Sequence, residues 1–525
     1  MLDVMKLAVA IGAFAASATA SAVAGAVDLR GGYGYGYGYG HGHGGGGHGN
    51  KTCKHKPLVN SKALQASIRA PALLNGSQTL LNFAYSYPDR NRLMGGGGHN
   101  ATVKYLVSQL EALDGYYTVE LQPFSAVVHA GATFSLFIDG ANTSAGVFDY
   151  TGSGDVTGTL VVVANQGCEL TDYPSTLSGN IALIQRGACE FGLKSAYAGA
   201  SGAKGALIYN NIPGGLDGTL GVPPRPEGDY VPTLGLSQDQ GAELVASIAA
   251  GTTHNATLIV DAQVENRTTH NVLATSNCGA LNTTLMLGAH TDSVAAGPGI
   301  NDDGSGTIGI LEVAKHLAKY RVNNAVRFGF WSGEEEGDLG SNHYVDSLSP
   351  AGLADIRAYL NFDMIASPNF IHAIYDGDGS SFNESGPAGS GEIEKFFEEY
   401  FVSAGENFTA TAFDGRSDYA PFIENGIPAG GTFTGAEQIK TAEEALQFGG
   451  TAGEPTDANY HGPGDTVDNL DVGAFVLHAK GIAASVAKYA TSFESLPPKG
   501  LKKRSVAGGV GRKRRAGKKG RKTAI

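Results

Sequence analysis

Five polar residues stand where this sequence could do chemistry: His290, Asp302, Glu335, Asp363 and His461. Each lies at the edge of an apolar, strand-like run or in a glycine-rich turn. Two histidines and three carboxylates are a nitrogen-and-oxygen donor set that zinc accepts. Five donors are one too many for a closed tetrahedral zinc. They suit two metals that share a carboxylate and leave room for water, the arrangement of a two-metal hydrolase.

The local motifs differ in weight. In Gly288-Ala289-His290-Thr291-Asp292, Asp292 follows the histidine by two residues and could orient its ring as an outer partner. The loop 299–306 carries Asp302 and Asp303 among glycines that permit a tight path; by itself it could equally be a calcium loop or a plain turn. Trp331-Ser332-Gly333-Glu334-Glu335-Glu336 puts three acids after an apolar run, where they repel one another unless a cation or proton compensates. A solvated helix start would read the same way. Asp363 closes another apolar run, and a carboxylate at a core edge needs a partner. The turn 459–465 presents Tyr460 and His461.

The elements that must position these residues alternate. Apolar runs at 284–288, 326–331 and 359–362 read as buried strands. Helical spacing follows at 306–320, 341–347, 393–404 and 472–491. This alternation predicts a doubly wound, mostly parallel α/β sheet, with ligands bound beyond the carboxyl ends of its strands. His290, Glu335 and Asp363 all fall just after such runs. Upstream, 61–69 and 101–113 read as helices and 117–124 as a strand. Between 131 and 262 the pattern changes to short strands (159–164, 181–185, 206–209) and small helices (195–202, 242–249). This segment has no dense group of ligands and reads as a separate, inserted domain.

At 525 residues the chain can hold two or three domains. Residues 1–20 read as a signal peptide: Lys6, an apolar run at 7–16, then small residues. That run is too short to span a membrane, and no membrane anchor is expected. Nine Asn-x-Ser/Thr sequons, at Asn50, Asn75, Asn100, Asn142, Asn255, Asn266, Asn282, Asn383 and Asn407, agree with export as a glycoprotein. Four cysteines allow three pairings. Cys168–Cys189 is favoured because it lies within one compact segment, which leaves Cys53–Cys278. Residues 21–56 include a Gly/Tyr/His-rich stretch that cannot bury a core; His41, His43 and His48 could scavenge metal, but the stretch reads better as a flexible linker or propeptide that happens to be His-rich.

The net charge of −13 hides a polarity. Residues 497–525 hold twelve Lys or Arg and no acid, leaving 25 basic residues against 50 acidic ones in the body. So acidic a body excludes a nucleic-acid partner. The tail reads as a disordered or removable extension, with Lys503-Arg504 and Arg514-Arg515 as dibasic cutting points.

Taken together, the motifs resemble the secreted di-zinc aminopeptidases, and most of all the fungal secreted leucine aminopeptidases and aminopeptidase Y. The resemblance runs through 289–293, 298–302, Glu334-Glu335, 361–365, 415–422, 433–436 and Tyr460-His461. It implies a zinc-exopeptidase domain from 57–130 and 263–492, with a β-rich protease-associated domain inserted at 131–262. It also implies two Zn²⁺ per chain. His290 and Asp363 would hold one, Glu335 and His461 the other, and Asp302 would bridge them ahead of a cis peptide to Asp303. Glu334 would be the general base acting on a metal-bound water, and Tyr460 would hydrogen-bond the oxyanion. Arg416 would lie at the substrate site, with Met364 and Phe433 lining a leucine-preferring pocket. The expected substrate is a peptide with a free N-terminus, whose ammonium an acid-rich site welcomes, and the expected state is a secreted monomer. The triple glutamate leaves the register to Trp331, Gly337 and Gly340-Ser341, which make Glu334 the base. Glu336 and Asp338 stand where the family often has apolar residues. A zinc carboxypeptidase, a glutaminyl cyclase on the same fold and a non-catalytic relative are the alternatives; the complete second ligand set argues against the cyclase.

Overall fold

The computed structural model describes residues 53–498. The signal-like segment, the Gly/Tyr/His stretch, Asn50 and most of the basic tail lie outside the described residues.

Hydrogen bonds link the strands of the main sheet in the order Thr409–Thr411, Ala373–Tyr375, Ala429–Phe433, Ile356–Phe362, Ala280–His290, Asn324–Trp331 and Asn255–Ser276. The central four strands, from Ala429–Phe433 to Asn324–Trp331, pair parallel. Their runs are buried along nearly their whole length because helices cover both faces. Gly304–Leu317 and Val472–Tyr489 present almost continuous apolar surface to that core, with Ile308, Leu311, Phe475 and Ile482 fully enclosed. The mixed α/β, mostly parallel sheet expected from the alternation is thus present.

Two long strands leave this sheet. Tyr117–Ile138 and Asn255–Ser276 pair antiparallel from end to end as a ribbon. The inner end of the second strand joins the main sheet beside Asn324–Trp331, and its outer end pairs with Gly154–Val162 of the inserted region. The inserted region stacks the parallel strands Gly154–Val162, Ile181–Gln185, Gly205–Tyr209 and Thr233–Leu236, with its own core around Phe148, Leu177 and Ile208. The boundaries expected at 131 and 262 fall inside the ribbon. Alternation alone marks a strand there but not a change of body, because the same two strands serve both.

Both expected disulfides, Cys53–Cys278 and Cys168–Cys189, are formed. Among the described residues no helix is long and apolar enough to cross a membrane. Seven of the eight described sequon asparagines are exposed; Asn100 is half-buried in the helix Gly97–Glu111, where its amide donates to Gly95 O at 2.8 Å.

Candidate metal centre and active site

The site gathers at the carboxyl edge of the parallel strands. His290 is the last residue of Ala280–His290, Asp363 follows Ile356–Phe362 directly, and Glu334 and Glu335 lie on the turn after Asn324–Trp331. Asp302 sits on the loop before the helix Gly304–Leu317, ahead of a cis peptide to Asp303.

Asp303 organises this convergence. Its Oδ2 accepts the His290 N–H at 3.1 Å, and its Oδ1 accepts those of Gly306 (2.8 Å) and Met364 (3.1 Å). One carboxylate thereby ties a strand end, a helix start and a second strand end. The approach needs glycine at 306, where a Cβ would stand 1.9 Å from Phe362 O. Asp303 also lies within metal-ligand reach of His290 and Asp363. Its oxygens are already engaged by these three N–H groups, so its role here is structural. Asp465 acts similarly, accepting Asn301 N–H at 2.7 Å and Asp302 N–H at 3.0 Å.

The five expected ligands come together in two halves. Asp302 Oδ1 is 3.1 Å from His290 Nε2, which is 3.5 Å from Asp363 Oδ1. Asp302 Oδ2 is 3.2 Å from His461 Nε2, which is 3.0 Å from Glu335 Oε2. The first half is sealed, with the His290 side chain 1 % exposed; the second opens to solvent at His461, 25 % exposed. Burial alone would lower the pKa of both imidazoles. Asp363, Asp292 and Asp302 outweigh it at His290, and Glu335 with Asp302 lifts His461 to about 10. Burial would raise Asp302, yet the two histidines hold it below the carboxylate range.

This donor set fits bound metal. Asp363 Oδ1 and Glu335 Oε1 are buried without a hydrogen-bond partner, and carboxylate oxygens left so are costly unless a cation answers them. Each half supplies a neutral-capable imidazole and carboxylate oxygens, the chemistry zinc selects.

The surrounding residues take defined positions. Glu334 Oε2 lies 3.9 Å from His290 Nε2, and burial beside Asp338, Asp363 and Glu335 raises its pKa well above the usual carboxyl range despite His290. Asp292 Oδ1 is 3.7 Å from His290 Nδ1 and accepts the Gly333 N–H at 2.8 Å. Tyr460 stacks on His461 with centroids 3.8 Å apart, and its hydroxyl accepts from Arg416 Nη2 at 3.2 Å. Arg416 is gripped by Glu437, at 2.8 and 3.2 Å. Met364 is buried beside Asp363, and Phe433 ends its strand half-buried.

Sequence reasoning gave no role to three supporting residues. Ser417 donates to Asp363 Oδ2 at 2.7 Å and accepts from Asn361 at 2.7 Å. Arg92, fully buried, donates to the carbonyls of Thr291, Pro298 (2.8 Å) and Gly299, clamping both ends of the loop between His290 and Asp302. Asn271 spans the turn that carries Glu334 and Glu335, its Oδ1 accepting Ser332 N–H at 3.1 Å and its Nδ2 donating to Gly340 O at 2.8 Å. Ser417 lay inside a motif already singled out; Arg92 and Asn271 carried no local signal.

A sheet of this order with such a centre defines a zinc exopeptidase. Family models agree: Peptidase family M28 matches residues 271–486 and the PA domain matches 156–244. The chain is 50% identical to leucine aminopeptidase 2 of Arthroderma otae over 443 residues, 84% of this chain and 88% of that one. It is 52% identical to the probable leucine aminopeptidase 2 of Aspergillus fumigatus over 448 residues, covering 85% and 88%. Among solved structures, the aminopeptidase from Aneurinibacillus sp. strain AM-1 superposes with a TM-score of 0.65 at 28% identity, over 84% of this chain and 97% of that one. BSAP, a zinc aminopeptidase from Bacillus subtilis, shares the fold at a TM-score of 0.59 and 22% identity, over 82% and 99%. The chain belongs to the M28 peptidases that carry a PA domain, and it is a zinc-dependent aminopeptidase.

Proposed function

We propose that this chain is a secreted aminopeptidase that removes leucine and similar apolar residues from peptide N-termini with a bridged pair of zinc ions. The observation that carries the reading is Asp302, whose two oxygens each face a different histidine of the site. His290 and Asp363 would hold one ion, Glu335 and His461 the other, and Asp302 both. When bound, the ions supply Lewis-acid polarisation of the scissile carbonyl and activation of water near neutral pH.

The chain's own groups do the rest. Glu334, the unligated acid 3.9 Å from His290, takes the proton of the attacking water and passes it to the leaving amine. Tyr460 accepts a hydrogen bond from Arg416, so its own proton is free to donate to the developing oxyanion. Met364 and Phe433 give the pocket its apolar wall. The surplus of carboxylates favours a cationic N-terminal ammonium.

Arg416 bears on the carboxypeptidase alternative. A C-terminal carboxylate needs a cation, and the guanidinium of Arg416 is already paired with Glu437. Export is supported by the signal-like segment, the two disulfides and the exposed sequons.

The test is hydrolysis of leucine and other aminoacyl chromogenic amides, with metal analysis. Activity should vanish on chelation, return with zinc, and drop by at least about 100-fold in Glu334→Gln. Full activity of that variant would remove Glu334 from its role, and one zinc per active chain would remove the bridged pair.

A further inference from the structure

The inserted region reaches the turn that carries Glu334 and Glu335 through a tyrosine just ahead of the PA-domain match. Tyr150 follows the strand Gly146–Asp149 of the inserted region, and its hydroxyl donates to Glu336 Oε2, next to Glu335. Glu336 stands where the resemblance suggested an apolar residue, and its neighbour in space comes from the other domain.

Tyr150 is held firmly enough to act on what it touches. It is 5 % exposed, and its backbone N–H donates to Nδ1 of the buried His129, at 3.2 Å, on the ribbon. His129 Nε2 in turn lies 3.6 Å from Asp149. On the receiving side, the turn is closed on itself. Glu334 O accepts from Gly337 N at 2.7 Å and Asp338 N at 2.8 Å, and Gly333 O accepts from Leu339 N at 2.8 Å. Such a turn moves as a unit, so a hold on Glu336 is a hold on Glu334 and Glu335. Its base is stapled by Asn271, which sits on the same ribbon that carries the inserted domain.

We infer that Tyr150 of the inserted region is a positioning residue for the reaction: through Glu336 it fixes the turn that carries Glu334 and Glu335. The inference rests on the roles given to those two acids above. Small displacements of a catalytic group are expensive, about 100-fold for 1 Å, whereas a polar contact at a turn tip contributes little to global stability.

The experiment uses the full chain. Tyr150→Phe keeps the ring and removes only the donor. Its kcat on a leucine amide should fall about tenfold, with KM within about twofold, and with zinc content and melting midpoint as in the parent. Glu336→Ala should do the same, Glu336→Gln, which still accepts a hydrogen bond, should recover most of kcat, and Tyr150→Phe/Glu336→Ala should be no worse than either single change. Unchanged kcat in Tyr150→Phe, additive losses in the double variant, or a rise in KM alone would overturn the inference. So would a loss of kcat that only tracks lost zinc or lost folding. Failure of the functional reading is separate: it appears in the parent and in Glu334→Gln, before Tyr150 is altered.

Discussion

Asp302 stands between two imidazoles, 3.1 Å from His290 Nε2 through one oxygen and 3.2 Å from His461 Nε2 through the other. No other carboxylate among the described ligand candidates faces both histidines within ion-pair distance. The two halves of the site are therefore coupled through one side chain. Asp302→Ala should cost more than one equivalent of zinc per chain, and His461→Ala about one. Loss of a ligand or its support typically costs at least 10–100-fold in affinity or activity. Zinc stoichiometry after gel filtration distinguishes the two variants; equal loss in both would mean that the halves bind independently.

Arg92 makes a second, quieter prediction. Its guanidinium donates to the carbonyls of Thr291, Pro298 and Gly299, and its charge faces Asp292, Asp465 and Asp303. Arg92→Met removes these donors and leaves buried acids without their cation, a change that costs about 3–5 kcal/mol. Arg92→Lys should restore only part, because one ammonium cannot fan across three carbonyls as the planar fork does. Denaturant midpoints of the three proteins measure this.

The contrast between Asp302 and Arg92 shows what the sequence discloses. Asp302 sits in a glycine-rich loop after a buried strand, and period, turn chemistry and donor type all point to it. Arg92 is one arginine after a turn, and nothing near it in sequence says that its partners lie some two hundred positions on. The helix Ala70–Tyr85 was not among the expected elements; its Pro71 stands in the first turn, where proline loses no hydrogen bond. The strands at 181–185 and 205–209 were legible because their first four residues are apolar or glycine and buried, with only Gln185 and Tyr209 partly exposed at their ends. The three adjacent glutamates were the hardest part. Alike in sequence, they separate in space: Glu334 toward His290, Glu335 against His461, Glu336 against Tyr150.

The disulfides differ in the loops they close. Cys53 and Cys278 are 225 residues apart in sequence, Cys168 and Cys189 only 21. If the bonds act mainly by restricting the unfolded chain, the long closure contributes about 5 kcal/mol and the short one about 3 kcal/mol. Replacing Cys53 and Cys278 by Ser should therefore lower stability about 2 kcal/mol more than replacing the other pair. The long bond also ties the segment ahead of the helix Ser61–Ser67 to the turn after the strand Asn255–Ser276, so its loss should expose that segment to proteolysis.

A histidine pair away from the metal site sets an acid limit. His372 Nδ1 lies 3.0 Å from His478 Nε2, and the other nitrogen of His478 lies 2.9 Å from Thr432 Oγ1. Phe370 and Phe401 stack on His372, and Lys440 is the nearby charge. Burial, aided by Lys440, lowers His372 to about 4, and burial with His372 lowers His478 well below its ordinary value. Both rings are therefore neutral in the fold but take up protons in the unfolded chain below about pH 6.5. Because the unfolded state binds more protons there, stability is full above that pH and falls as pH drops toward 4, by up to about 1.4 kcal/mol per pH unit for each ring. Urea unfolding in the presence of chelator, which removes the pH dependence of zinc binding, should show this acid slope. His372→Phe should start from a lower stability but lose it less steeply between pH 6.5 and 4; a slope equal to that of the parent would place the titrating groups elsewhere.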